Sequence, residues 1–418
     1  MRLGWRRTTL CAMVTATACI TTLASVSGST AEAVAHARLR AEALAEAGLP
    51  VEAVAQAGSP AIASATAGQT GPEQGPLMSE TVFKNVQVLK GIPVDEFMDT
   101  MGMFAASLGF DCVSCHSGDI YTNRGAFAEA TPLIQRARQM IVMMNTINKN
   151  YFGGQPRVSC FTCHNAKNRP EFIPNLALQY GELVDDPNSM RIFPDTRTTV
   201  DQVFSKYLQV LGGEQRLAGL TGFVARGTYE GFNTGGNQFP IEIAARAPNQ
   251  RTQVVRTPEG DAVKTFDGRA AWAAEGWRPL PLLALTGGNL DAARLETMQL
   301  FPTNIRPAFS QWLVSSTTID DRVVQLLQGQ NSGQLPVNFY FDESGLLVRI
   351  VRWNRTAVGT VPMQFEYADY RDVAGVKMPF RIVLTWTDGQ NTIVLNDIQP
   401  NATIAATRFA RPAPFKGR

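Results

Sequence analysis

Two copies of one pentapeptide, Cys112-Val113-Ser114-Cys115-His116 and Cys160-Phe161-Thr162-Cys163-His164, constrain this chain more than any other feature. A Cys-x-x-Cys-His unit can be half a zinc site, a dithiol redox pair or a covalent haem anchor. A zinc site built from paired Cys-x-x-Cys units leaves both histidines without a role. A thioredoxin-like pair needs an alternating strand and helix context that neither copy has. Haem attachment uses every residue: two thiols spaced to meet the two vinyl groups of one porphyrin, with the following His under the iron as proximal ligand. The expected cofactors are therefore two c-type haems, anchored by Cys112, Cys115, Cys160 and Cys163, with His116 and His164 as axial ligands.

The rest of the cysteine count agrees with export. Of six cysteines, only Cys11 and Cys19 lie outside the two units. They sit in an N-terminal segment where Arg2, Arg6 and Arg7 precede an uncharged run from Thr8 to Val26, followed by Ala31-Glu32-Ala33. This reads as a signal peptide over residues 1–33, with a periplasmic mature chain that keeps no cysteine for a structural disulfide. Membrane association is the alternative. The run is only marginally long enough to span a bilayer, and Ala16-Thr17-Ala18 is a poor approach to lipidation at Cys19. Residues 34–76 are Ala-rich and then rich in Gly, Ser, Pro, Gln and Thr, a composition for a tether rather than a core.

The remaining length suffices for two domains. A formal charge of +2 with no long run of Lys and Arg excludes a nucleic-acid groove. From residue 77 to 191 the periodicity is helical. Val82, Phe83, Val86 and Leu89 share one face before Gly91-Ile92-Pro93. A second helix, which Asp95 can cap, ends at Gly109, and a third opens with Thr131 and Pro132 and runs to about Tyr151. A short helix spans Thr199 to Leu211.

The period then switches to alternation, at Phe223–Tyr229, Ile241–Ile243, Val337–Phe341, Leu346–Trp353, Met363–Tyr367 and Phe380–Trp386, with a helical stretch near Leu290–Leu300. Asp267-Gly268, Glu343-Ser344-Gly345 and Asp388-Gly389 mark turns. The expected fold is multidomain: a mostly α dihaem c-type cytochrome domain at 77–191, then an antiparallel β-rich domain at 196–412.

The second axial ligand is approached by counting. The chain has three histidines, two of them proximal and His36 in the tether, so a Met thioether is the natural partner for each iron. Phe97, Met101, Phe104 and Leu108 share the apolar face of their helix, whereas Met103 falls on the polar side with Asp99, Thr100 and Ser107. This selects Met101. On the next helix Leu133, Ala137, Met140, Ile141 and Met144 form the apolar face, which leaves Met140 and Met144 both open.

The stretch Phe83-Lys84-Asn85-Val86-Gln87-Val88-Leu89-Lys90-Gly91-Ile92-Pro93, with Asp99-Thr100-Met101 leading into the first pentapeptide, resembles the cytochrome c subunit of photosynthetic reaction centres. So does Ala137-Arg138-Gln139-Met140 through Ile147-Asn148 into the second. The resemblance covers about residues 80–170. It implies a helical Met as distal ligand in each segment, at Met101 and Met140, and a role in re-reducing a photo-oxidised chlorophyll pair. That family carries four haems, and this chain has two motifs followed by β structure. A respiratory electron carrier fits the residues equally well.

The β region more weakly resembles the half-barrels of periplasmic lipoprotein carriers, in phrases such as Gly375-Val376-Lys377-Met378-Pro379-Phe380. That resemblance implies a lipid cavity, with Trp272, Trp277, Trp312, Trp353 and Trp386 as candidate lining; a docking or spacer domain is the favoured alternative. The expected function is electron transfer between redox protein partners, a membrane-bound reaction centre or respiratory complex among them, and not catalysis. A dihaem peroxidase needs an acid/base group beside an open iron, and no spare His exists in the haem region.

Overall fold

The computed structural model describes residues 75–121, 123–173, 193–195 and 197–416. The expected signal peptide, nearly all of the tether and residues 174–192 lie outside the described residues.

The first helix, α1 (Ser79–Val82), is a single turn. The longer helix expected from Val82, Phe83, Val86 and Leu89 does not form, because the chain folds back on itself. Ser79 Oγ donates to Leu89 O at 2.6 Å, the Gly91 N–H donates to the Glu80 carboxylate at 2.9 Å, and Asn85 turns left-handed at φ 62°. Helix α2 (Val94–Leu108) ends at Gly109, which takes the left-handed C-cap conformation at φ 65°. A Cβ there would lie 2.6 Å from Ala166 O, so this glycine also lets two chain segments touch. Asp95 does not cap α2; Pro93 holds the N-cap position and Asp95 lies inside the first turn, buried.

The first pentapeptide forms α3 (Cys112–Cys115) and the second forms α5 (Cys160–His164). Between them α4 (Pro132–Tyr151) starts as expected: Thr131 Oγ1 accepts from the Ile134 N–H at 3.2 Å and donates to Cys115 O at 2.7 Å. One cap thus ties the start of α4 to the first motif.

The C-terminal half is a large antiparallel sheet. Its strands are β1 (Phe193–Pro194), β2 (Gly222–Gly231), β3 (Phe239–Arg246), β4 (Gln250–Thr257), β5 (Gly260–Phe266), β6 (Ala271–Ala274), β7 (Leu283–Leu285), β8 (Gln311–Ile319), β9 (Arg322–Gln330), β10 (Val337–Phe341), β11 (Leu347–Thr356), β12 (Gly359–Val373), β13 (Val376–Trp386) and β14 (Gly389–Pro400). Neighbours in sequence pair in two meanders, β2 to β7 and β8 to β14. Pairing of β14 with β2 joins them, with Thr392 opposite Glu230 and Val394 opposite Thr228. Five of the six segments expected to be strands fall within strands, and the sixth, Leu346–Trp353, does so from Leu347 on.

Two helices cover one face of the sheet, α6 (Val200–Val210) and α8 (Gly287–Met298), with the short α7 (Glu214–Ala218) after α6. Val203, Phe204 and Tyr207 of α6 and Leu295 of α8 join Phe223, Ile243, Phe339, Ile350, Phe365 and Ile393 in the main core. Glu296 of α8 is buried beside Lys264 at 2.6 Å and Arg251 at 3.1 Å. Burial alone would raise its pKa, but these two cations outweigh that and lower it.

The tryptophans do not converge on one cavity. Trp312 packs on Phe204, Phe309 and Phe339, Trp353 joins the separate cluster around Tyr340 and Val351, and Trp386 meets Phe232. Beside Tyr207, Tyr367 and Met378 the core keeps a void of about 40 Å³, room for water but not for an acyl chain.

Candidate functional site

Helix α2 decides the geometry of the first motif, and it does so by turning its polar side inward. Asp95, Thr100, Met103 and Ser107 are its buried residues besides Val94. Asp95 accepts from the Thr286 N–H at 2.6 Å and from its hydroxyl at 2.8 Å. Asp99 accepts from Asn289 and from Asn354, each at 2.8 Å. Burial raises the Asp99 pKa to about 6, opposed by the Asn289 hydrogen bond and by Arg278 and Arg352.

Met103 packs so close to β12 that a Cβ on Gly359 would meet its Cε at 2.6 Å. The sequence pattern places Met103 on a solvent face; the sheet makes that face the interior. Phe97, Met101 and Phe104, on the apolar face, stay only partly buried, in a cluster with Cys160 and Phe161 of the second motif. Met101 thus has a thioether on a half-open apolar surface, while Met103 is committed to the core.

Helix α4 separates its methionines in the same way. Ile141 and Met144 are 3% and 6% exposed, packed with Val358 and Val361. Leu133 and Met140 remain 40% and 37% exposed, and Tyr151, on the same flank, 78%. Met140 therefore lies outside the cluster that holds Met101.

Both attachment turns present free thiols in one helical turn, with His at or just past its end. Ser159 and Thr162 form a capping box at α5, and Asp111 caps α3. Asn148 of α4 clamps the approach to the second motif, donating to Val158 O at 2.7 Å and accepting from the Val158 N–H at 2.8 Å. Burial pushes the Cys160 thiol up to about 11, and burial followed by the nearby Asp388 and Asp111 raises Cys112. Thiols held neutral in this way are poor nucleophiles at neutral pH.

His164 Nδ1 sits 3.0 Å from Lys167 O, an arrangement that directs the proton to Nδ1 and leaves Nε2 free to ligate. His116 Nδ1 is buried and meets no hydrogen-bond partner among the described residues, and its ring stands edge-on to Phe127 at 4.9 Å. Burial lowers the His116 pKa, with the backbone of Phe127 opposing it. His164 with its Nδ1 accounted for, a His116 held neutral by burial, two thiols one turn from each and an apolar surface left uncovered are what a c-type haem requires, so these residues fit the group. Among the described residues no three His, Cys, Asp or Glu side chains converge, so the two cysteine pairs do not build one zinc site.

Residues 39–179 match the family of the photosynthetic reaction centre cytochrome C subunit. The match contains both attachment turns and both half-open methionines, and it bears out the resemblance read from about 80–170. The photosynthetic reaction center cytochrome c subunit of Roseobacter denitrificans is 33% identical over 110 residues, covering 24% of this chain and 29% of that protein. The chain thus spans under a third of the length of the curated relative it matches.

Within the sheet, residues 298–395 match a family of unknown function, DUF6544. Among solved structures, a LolA superfamily protein from Nitrosomonas europaea is 11% identical, covering 51% of this chain and 98% of that one at a TM-score of 0.35. A domain described as an outer membrane lipoprotein-sorting protein, from Vibrio parahaemolyticus, is 9% identical over 49% and 97% at 0.34. No functional reading is taken from these two likenesses.

Sequence reasoning missed the residues that dock the helical segment on the sheet: Thr286, Asn289 and Asn354, and the carbonyls of Gly276, Arg278 and Pro279 that accept from Arg124 at 3.0 to 3.3 Å. The only local hint was the row of polar residues at Asp95, Asp99, Thr100 and Ser107, spaced as one helix face. No helix among the described residues is long and apolar enough to cross a membrane, which leaves β-barrels aside.

Proposed function

We propose that this chain is an exported dihaem c-type cytochrome that carries electrons between redox proteins. Bound c-type haem supplies a one-electron Fe(III)/Fe(II) couple. Cys112 and Cys115 would anchor one haem and Cys160 and Cys163 the other. His116 and His164 would be the proximal ligands, Met101 and Met140 the distal ones. The observation that carries this reading is that each motif follows a helix that buries one methionine, Met103 or Met144, and leaves another, Met101 or Met140, on an uncovered flank. A Met ligand raises the potential and fills the sixth position, which suits a carrier and leaves no open iron for peroxide.

The domain limits we propose are 77–191 for the haem unit and 196–412 for the sheet. The relative's role at a photosynthetic reaction centre supports a membrane-bound redox partner on the exported side. The presence of two motifs rather than four favours a second reading, a free-standing carrier in a respiratory chain. A lipid ligand finds no support: the void beside Tyr207 is about 40 Å³, and the larger cleft beside Trp277, about 550 Å³, is lined by Arg124, Glu259, Glu275 and Arg278.

The test is to mature the full chain with haem-attachment machinery, quantify haem per chain and record oxidised and reduced spectra. Two low-spin haems per chain are expected, with the weak red charge-transfer band of a Met-ligated ferric iron. Zinc in place of haem, or high-spin haem with peroxide turnover, would reject the proposal.

A further inference from the structure

The charges of the haem region are sharply divided between its two halves. From residue 79 to 131 there are seven acidic residues against three basic ones, and from 132 to 170 there are six basic residues and no acidic one. The chain as a whole is nearly neutral at +2, so this is a local asymmetry. Four of the six cations, Arg136, Lys149, Arg157 and Arg169, are exposed, and their side chains make no ion pair or hydrogen bond among the described residues. Elsewhere some exposed arginines are matched, Arg226 to Glu242, Arg256 to Asp261, Arg306 to Asp201 and Arg371 to Asp369, and others, Arg322 and Arg381 among them, are not.

The outward side of α4 carries two of these cations, Arg136 and Lys149. It also presents Gln135, Gln139, Val142, Met143, Thr146 and Asn150, all exposed and uncharged. Val142 and Met143 are 54% and 45% exposed. An uncharged centre with apolar side chains and a charged rim is the anatomy of a transient protein interface. A flat anionic lipid surface would need only the cations.

We propose that the second haem segment is the docking face for an acidic redox protein, with α4 at its centre and Arg136, Lys149, Arg157 and Arg169 as its rim. This rests on the electron-carrier reading and adds where the partner docks and what charge it bears. The unmatched cations steer a negatively charged partner toward the second attachment turn, where Cys163 is exposed.

The experiment uses the haem-loaded full chain, with haem counted in every sample. An acidic plant-type 2Fe–2S ferredoxin, reduced by one electron, is mixed with the ferric protein in a stopped-flow instrument. One electron passes from the cluster to the haem iron and no proton moves. The second-order rate is expected to fall steeply with added salt, and at low salt to drop roughly tenfold or more in the combined variant R136Q/K149Q/R157Q/R169Q. A basic mitochondrial-type cytochrome c should show no such drop.

Ferredoxin rates insensitive to salt in the wild type would overturn the proposal without any variant. So would phosphatidylglycerol vesicle binding that the four substitutions abolish while ferredoxin rates stay unchanged, because the face would then meet a membrane. Absence of haem from the wild type would instead overturn the electron-carrier reading.

Discussion

Asp95 and Thr286, 191 residues apart, are joined by two hydrogen bonds, the backbone N–H of Thr286 at 2.6 Å and its hydroxyl at 2.8 Å, both given to one buried carboxylate. This contact fastens the helix of Met101 to the turn that opens α8. Asp95→Ala leaves a buried N–H and hydroxyl unpaired and is expected to cost about 3 kcal/mol. Urea unfolding checks it; a loss below about 0.5 kcal/mol would show that α2 is not held by this pair.

Asp99 gives the same interface a pH dependence. Its folded pKa of about 6 lies above the unfolded carboxylate value, so folding takes up a proton between about pH 4 and 6. This contribution to stability is therefore lost as pH rises through that window and is flat above it. D99N keeps an oxygen to accept from Asn289 and Asn354 and cannot titrate. The difference in stability between wild type and D99N should move by about 1 kcal/mol in favour of the wild type between pH 7 and 5. Parallel unfolding curves at the two pH values would contradict this.

Four of the six methionines on the helices before the two motifs separate into two kinds. Met101→Ala and Met140→Ala are each expected to remove the Met–iron charge-transfer signal of one haem. Met103→Ala and Met144→Ala, at 5% and 6% exposure, should keep both signals and lose about 2 to 5 kcal/mol of stability. Loss of a signal in either of the second pair would reassign that ligand.

Asn148 holds the loop before the second motif by a two-way clamp on Val158. Asn148→Ala should cost about 1 to 3 kcal/mol and raise amide exchange over residues 153–159, with the first motif unaffected. Native-state hydrogen exchange measures this, and uniform loosening of both motifs would count against a local clamp.

Much of the site was legible in the chain itself. The pentapeptides propose their own chemistry, because thiol spacing and the following His are local features of the chain. Gly109, Thr131 and Pro132 mark helix ends by backbone preferences that need no partner, and the structure has each where the sequence puts it. The strands containing Phe339, Phe365 and Val383 announce themselves by alternation. Strands such as β8, with Ser315, Ser316, Thr317 and Thr318, carry too little apolar contrast to be read.

What the tertiary structure alone decided is which side of each helix faces inward. Periodicity equates apolar with buried, which fails when the partner surface is polar and distant in sequence. Asp95 and Asp99 look solvent-facing until Thr286, Asn289 and Asn354 arrive to bond them. The joining of β14 to β2, and the separation of Met140 from Met144, likewise depend on contacts between residues far apart in the chain, and local pattern holds no record of them.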